Sequence, residues 1–158
     1  MQISAGLLPF RRSPEHGLQV LIAHPGGPFW ARKHEGAWSV IKGLVEDDED
    51  LIEAARREFN EETGWPVSRS SELIHLDRVQ LKSGKTVVAW AFEADFDPAD
   101  LQPGTFEMEW HGATRTYPEI DKVTWASPEE ARTLLNPAQA AFIDHLIAEI
   151  GRAPTRDQ

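Results

Sequence analysis

A chain of 158 residues, 41% hydrophobic and 27% charged, has the composition of a globular domain with a core of ordinary size. Its formal net charge of −10 opposes long nucleic acid as a partner, and any polyphosphate ligand must arrive with cations or at a local basic patch. Cysteine is absent, which excludes a disulfide framework and a thiolate zinc site. No apolar run nears the roughly 18 residues of a membrane span, and the start Met1-Gln2-Ile3-Ser4 lacks a signal-peptide pattern, so the cytoplasm is the expected compartment.

Ile3 to Phe10 and Leu18 to His24 read as strands joined by a turn from Arg11 to Gly17. His24 to Ala37 reads as a long loop, rich in Gly and Pro, of the kind that carries function or moves. Phe29 and Trp30 offer faces on which a base can stack, and Arg32 or Lys33 offers charge to a phosphate. Packing of both aromatics on the sheet is the equal alternative. Trp38 to Ile41 is a short predicted strand that delivers Lys42 and Gly43; Lys42 either reaches a phosphate or stays solvated.

Asp50 precedes an apolar-periodic run and Glu53 follows three residues later, the capping-box arrangement of a helix start. Gly64 can adopt the left-handed conformation that closes a helix, and Pro66 blocks continuation. The pattern predicts a helix over 51–63, with Ile52, Ala55 and Phe59 on its core stripe. Glu58, Glu61 and Glu62, three and four residues apart, crown the border of that stripe. Carboxylates gathered in this way repel one another unless a cation lies between them, and hard oxygen donors suit Mg²⁺, with Mn²⁺ as a substitute. Glu53, Arg57 and Glu61 form an i, i+4, i+8 ladder in which Arg57 can hold Glu61 and orient the acidic groups.

Leu73 to Leu81 and Thr86 to Ala94 read as a hairpin around Lys82-Ser83-Gly84-Lys85. Ser83-Gly84-Lys85-Thr86 ends like a phosphate-binding loop, but Val79 stands where its first Gly is needed. A polar loop covers 96–104. Phe106, Met108 and Trp110 then alternate with Glu107 and Glu109, so a strand here displays the two glutamates together on one face. Lys122 to Ala126 reads as a strand, Pro128 to Leu135 and Pro137 to Ile150 as helices, and 151–158 as a disordered tail to a single domain over 1–150. The six histidines (16, 24, 34, 75, 111 and 145) show no metal-ligand spacing, and Trp38, Trp90, Trp110 and Trp125 are expected in the core.

Read as a whole, Gly43 to Trp65 is G-x5-E-x7-R-E-U-x-E-E-x-G-U, with U a bulky apolar residue. Seven specified letters at roughly 6% usage each make a chance match on the order of 10⁻⁹ per start position. The segment resembles the signature box of the Nudix hydrolases, metal-dependent enzymes that split a diphosphate joined to a nucleoside or similar group. The resemblance implies an α/β/α sandwich with a mixed β-sheet, which also suits the order of predicted elements. It further implies that the Gly43 carbonyl, Glu58, Glu61 and Glu62 hold metal, that one carboxylate, with Glu58 the candidate, is the general base, and that two or more divalent ions orient and activate water. Nudix enzymes often recruit an additional acid from downstream; Glu107 and Glu109 are the candidates, with Glu119 in reserve and a solvated strand face as the alternative. Ile41 stands before Lys42-Gly43 where many Nudix enzymes have Pro, which alters the approach to Gly43.

Marks of Nudix subgroups narrow the substrate further. Coenzyme-A-type and NADH-type marks are absent, and so is the Pro some fifteen residues after the box that ADP-ribose enzymes often carry. The Tyr typical of dinucleoside-polyphosphate enzymes has no counterpart near the box, since the single tyrosine is Tyr117, although Ala5 to Arg12 looks like the first strand of that group. The expected substrate is a small nucleotide: a nucleoside triphosphate or another nucleoside diphosphate-linked compound, with a dinucleoside polyphosphate as the second choice. A non-catalytic nucleotide sensor on the same fold would have lost box carboxylates, and a diphosphate isomerase would need a reactive Cys.

Overall fold

The computed structural model describes residues 2–152. In chain order the elements are β1 (Ile3–Ser13), β2 (Gly17–Pro25), β3 (Ile41–Leu44), α1 (Leu51–Thr63), β4 (Ile74–Gln80), β5 (Thr86–Glu93), β6 (Thr105–Trp110), β7 (Ala113–Pro118), β8 (Ile120–Ala126), α2 (Pro128–Leu134) and α3 (Ala140–Arg152).

β1 organises the main sheet, whose order is β4-β5-β1-β2-β8. It runs parallel to β5 along one edge. Its other edge is divided: residues 4–7 pair antiparallel with β3, and residues 10–13 pair antiparallel with β2. This division lets the chain leave β2, loop outward, and return to β1 with Lys42 and Gly43 in register opposite Gly6 and Ala5. Gly6 is necessary there, because a Cβ would lie 2.7 Å from the Ile41 carbonyl and 2.8 Å from the Lys42 Cβ.

Strict alternation sends successive side chains to two different cores. Leu7, Leu21, Val88, Trp90 and Phe92 face α1 and bury Ala54, Ala55 and Phe59. Leu8, Val20, Ile22, Val87 and Ala89 face the other way and bury Ala131, Leu135, Phe142, Ile143 and Leu146 of the α2–α3 layer. The result is an α/β/α sandwich with a mixed sheet, as the order of elements predicts. Full burial of a side chain such as Phe59 contributes about 1.5–3 kcal/mol, so α1 is fixed by its apolar stripe and its carboxylates need not be.

Three details depart from the sequence expectation. The strand expected over 38–41 lies at Ile41–Leu44, so Gly43 is part of the sheet; Trp38 and Ser39 make only isolated bridges to Leu135 and Ala23. Ala113–Pro118 forms a strand that its polar sequence hides, turning back on β6 through His111 (φ 51°) and Gly112 (φ 82°). Such left-handed pairs suit a two-residue hairpin, but His-Gly lacks the usual Asn or Asp signal. Pro137–Gln139 is a separate 3₁₀ turn, and α3 runs on to Arg152, so Gly151 and Arg152 are helical; the remainder of the expected tail, 153–158, lies outside the described residues. No helix among the described residues is long and apolar enough to cross a membrane.

Candidate active site

Helix α1 begins and ends where its sequence dictates. The Asp50 side chain accepts from the Glu53 amide at 3.2 Å, and Gly64 closes the helix at φ 80° with its N–H donating to the Asn60 carbonyl at 2.7 Å. Only this half of the capping box forms, because the Glu53 carboxylate is taken by Arg69 at 2.7 and 2.9 Å. Ala54, Ala55, Phe59 and Thr63 are buried and Ile52 lies at the margin of that face. Below the helix end, Trp65 stacks on Phe96 at 4.6 Å. The same packing leaves Glu58 and Glu62 half-buried at the sheet side of the helix and Glu61 exposed.

Arg57 ties this edge together. Its Nε and Nη2 donate to the two oxygens of Glu49 at 2.8 and 3.0 Å, a paired geometry that fixes both planes. Its Nη1 donates to Glu58 Oε2 at 2.7 Å and to Glu61 at 3.2 and 3.3 Å, and its Nη2 also reaches the Leu44 carbonyl at 3.1 Å. Of the expected Glu53-Arg57-Glu61 ladder, the Arg57–Glu61 rung alone is made. Glu49, a fixed letter of the box, is the anchor that the spacing left without a role. Hydrogen bonds from Arg57, helped by the Glu46 amide, hold its carboxyl down to about 2.

Gly43 lies directly against Glu58, and a Cβ at this position would fall inside the Glu58 carboxylate. The glycine is needed for space here. Burial pushes Glu58 upward, and the bond from Arg57 opposes it. Glu62 is pushed up to about 7, first by burial and then by the charges of Glu119, Glu58 and Glu61, with Lys42 opposing. Lys42 itself is lowered by burial and by Lys85, and raised by Glu62 and Glu58. The residues brought together are therefore Lys42, Gly43, Arg57, Glu58, Glu61 and Glu62, joined by Glu119 from the junction of β7 and β8.

Glu119 was the reserve candidate by sequence and is the downstream carboxylate whose field reaches the box. Its backbone is pinned on both sides: the Glu119 amide donates to the Gly104 carbonyl at 2.8 Å, and its carbonyl accepts from Gly26 at 2.9 Å. Glu107 and Glu109 sit on the exposed face of the β6–β7 ribbon, which forms its own two-stranded sheet. The alternation of β6 is as expected, with Phe106, Met108 and Trp110 half-buried.

The loop residues occupy a different place. Phe29 is 50% exposed and meets Trp30 edge to face at 4.9 Å, while Lys33 Nζ lies 3.5 Å above the Phe29 ring. Arg32 and Lys33 are exposed. Among the described residues no hydrogen bond or ion pair joins Phe29, Trp30, Arg32 or Lys33 to the box. The loop is held instead by His24, whose ring bonds both the Lys33 carbonyl and Asp121. Sequence spacing gave no hint of this histidine's task. The clefts around Arg11, Trp125 and Asp95 lie near the other end of β1 and β2, away from Gly43.

A family model described as NUDIX domain matches residues 2–146. The chain belongs to the Nudix family. A curated Nudix relative, the NAD-capped RNA hydrolase NudC of Vibrio cholerae, is 32% identical over 125 residues, which cover 77% of this chain and 43% of the relative. The RNA pyrophosphohydrolase of Caulobacter vibrioides is 43% identical over 58 residues, covering 32% of this chain and 34% of the relative. The alignments thus span less than half of these relatives' lengths. Among solved structures, a binary complex of the C. elegans Ap4A hydrolase superposes with a TM-score of 0.68 at 19% identity, covering 94% of this chain and 98% of that one, a likeness of fold.

Nudix hydrolases generally use divalent metal ions. The donors gathered here are hard carboxylate oxygens, and Glu62 is raised first by its burial and then by the negative charges of Glu119, Glu58 and Glu61. That chemistry fits a divalent cation. Among the described residues no three acidic or imidazole groups are closed around one point, and Glu58 is bonded to Arg57.

Proposed function

We propose that this chain hydrolyses a phosphoanhydride in a small nucleotide, a nucleoside triphosphate or another nucleoside diphosphate-linked compound, with Mg²⁺ as cofactor and Mn²⁺ as a substitute. The observation that carries the reading is the gathering of Glu58, Glu61 and Glu62 along one edge of α1, with Gly43 against Glu58 and Arg57 bonded to Glu58 and Glu61. Burial, and after it the charges of Glu119, Glu58 and Glu61, raise Glu62 within this group. A group in that setting is relieved either by a proton or by a cation. The intact family box supports the second, since a sensor without catalysis has no need to retain all three helix carboxylates.

In this reading Gly43, Glu58, Glu61 and Glu62 hold the cation, with Glu119 as the downstream acidic member. The bound metal would neutralise the diphosphate and favour ionisation of the attacking water. Water oxygen bonds to phosphorus, the bridging P–O bond breaks, and the departing phosphate oxygen takes the electron pair. The proton leaving the water passes to a carboxylate, for which Glu58 is our candidate. Arg57 acts on Glu58 and Glu61 by orientation, being anchored in turn on Glu49. Lys42, half-surrounded by Glu58 and Glu62, is suited to a phosphate oxygen, and its lowered pKa reflects the cost of holding that charge in a buried position.

Both curated relatives are named for RNA substrates, whereas a formal charge of −10 disfavours a long polyanion; we therefore favour free nucleotides and a cytoplasmic setting. The Ap4A hydrolase likeness keeps a dinucleoside polyphosphate as the second reading. A panel of nucleoside triphosphates, dinucleoside polyphosphates, ADP-ribose, NAD and a short 5′-triphosphorylated RNA, incubated with Mg²⁺ and resolved by chromatography, tests this. Fastest release of a nucleoside monophosphate from a free nucleotide supports the proposal; turnover confined to the RNA would overturn its substrate class.

A further inference from the structure

His24 is a buried titratable residue with no part in the chemistry above, only 1% exposed at the end of β2. Its Nε2 lies 2.6 Å from the Lys33 carbonyl and its Nδ1 lies 2.9 Å from Asp121 Oδ1. The ring thus bridges a backbone carbonyl of the loop and a carboxylate of β8, using both of its nitrogens. The Trp38 ring packs edge-on at 5.2 Å and the His34 ring lies at 5.6 Å. The charged and titratable groups against the ring are Asp121 from β8 and His34 from the loop; Lys122, opposite His24 in the β2–β8 register, places its amino group 5.9 Å from the Trp38 ring.

A second observation shows that this contact is built into the sheet. The β2–β8 register runs regularly to His24 opposite Lys122 and then shifts, so that Pro25 lies opposite Ile120 and Asp121 is the extra residue. In an unbroken strand Asp121 would point to the face opposite Lys122. A bulge re-aims one side chain, and here the re-aimed residue meets the His24 ring. The bulge also lies two residues from Glu119, whose carbonyl receives the Gly26 amide at the start of the loop.

We propose that His24 is a positioning residue that clamps the 26–37 loop, and with it Phe29, Trp30, Arg32 and Lys33, to the strand end bearing Glu119, and so sets substrate affinity. This rests on the reading that the loop contributes to recognition. The bond to the Lys33 carbonyl is the operative one, since it joins β2 to the middle of the loop, whereas Asp121 orients the ring.

Three variants separate these contacts. His24→Phe keeps a ring without donors; His24→Gln keeps an amide N–H near the Nε2 position; His24→Asn keeps one near Nδ1. Each would be assayed for KM and kcat on the best nucleotide of the panel, and for the rate of tryptic cleavage after Lys33, whose carbonyl the clamp holds. The expected result for His24→Phe is a KM raised by about fivefold or more, kcat within about twofold, and markedly faster cleavage. His24→Gln should recover both properties and His24→Asn neither; this pair serves as the test if the Phe variant does not fold. Cleavage at the wild-type rate in His24→Phe, or equal recovery by Gln and Asn, overturns the clamp. Faster cleavage with unchanged KM, while Trp30→Ala raises KM, overturns His24's role in affinity. If Trp30→Ala and Arg32→Ala also leave KM unchanged, the loop's part in recognition is what falls.

Discussion

Replacing Glu62 with Gln should stabilise the metal-free protein above neutral pH and leave it unchanged in acid. Folding raises the Glu62 pKa from 4.5 to about 7, so the folded state binds this proton more tightly than the unfolded chain does. The stability linked to it is complete below about pH 4.5 and is lost as pH climbs through about 7. At about 1.4 kcal/mol per pH decade the full rise corresponds to about 3–4 kcal/mol. The side chain remains partly open to water, and screening reduces this to about 1–2 kcal/mol. For a chain of this length each kcal/mol moves Tm by about 2–4 °C. In EDTA the variant and wild type should melt together near pH 4.5, and the variant should melt about 2–8 °C higher at pH 8. Saturating Mg²⁺ should remove that advantage, because wild type alone retains the full set of ligands. Parallel melting curves across the whole pH range would refute the claim that Glu62 is under pressure from its neighbours.

Gly43→Ala should lower kcat by at least about tenfold, because the new methyl displaces the Glu58 carboxylate, with an overpacking cost of about 1–3 kcal/mol visible in the melting temperature. A kcat equal to wild type would contradict the close approach. Glu119→Gln should weaken apparent Mg²⁺ affinity and reduce kcat about tenfold or more, while Glu107→Gln and Glu109→Gln on the exposed ribbon face stay within about twofold; a Mg²⁺ titration with the opposite ranking would return the additional acid to β6. Trp30→Ala and Arg32→Ala should raise KM more than they lower kcat, and steady-state kinetics with KM unmoved in both would leave the loop without a role in binding.

The helix and its carboxylates were legible because their signals are local. Asp50, Gly64 and Pro66 bound α1, and a periodicity of 3.6 residues puts Glu58, Glu61 and Glu62 at the border of the buried stripe. The strands β1, β2 and β5 were legible as apolar runs, but their division between two cores was not, because β1 and β5 are buried on both faces and show no polar alternation. What stayed hidden depends on residues distant in the chain. Glu119 reaches the box only because β7 and β8 bring it there, and its surrounding sequence carries no pattern comparable to the alternation of β6. The Glu49–Arg57 pair needs the loop between β3 and α1 to fold back, which spacing suggests without naming the partner. The His24 clamp arises from a bulge in β8, and a register shift leaves no mark on hydrophobic period. Lys42 and Gly43 were expected just after a strand and instead lie within one, since Gly6 opposite them admits the approach.

Metal dependence of turnover bears most directly on the account. Enzyme stripped with EDTA, dialysed, and assayed on its best nucleotide across a Mg²⁺ titration should be inactive without metal. It should regain hydrolysis with added Mg²⁺ or Mn²⁺, and Glu61→Gln and Glu62→Gln should remain at least about a hundredfold lower in kcat at saturating metal. Full turnover in the stripped enzyme, or wild-type kcat in either variant, would contradict a cation held by the box carboxylates.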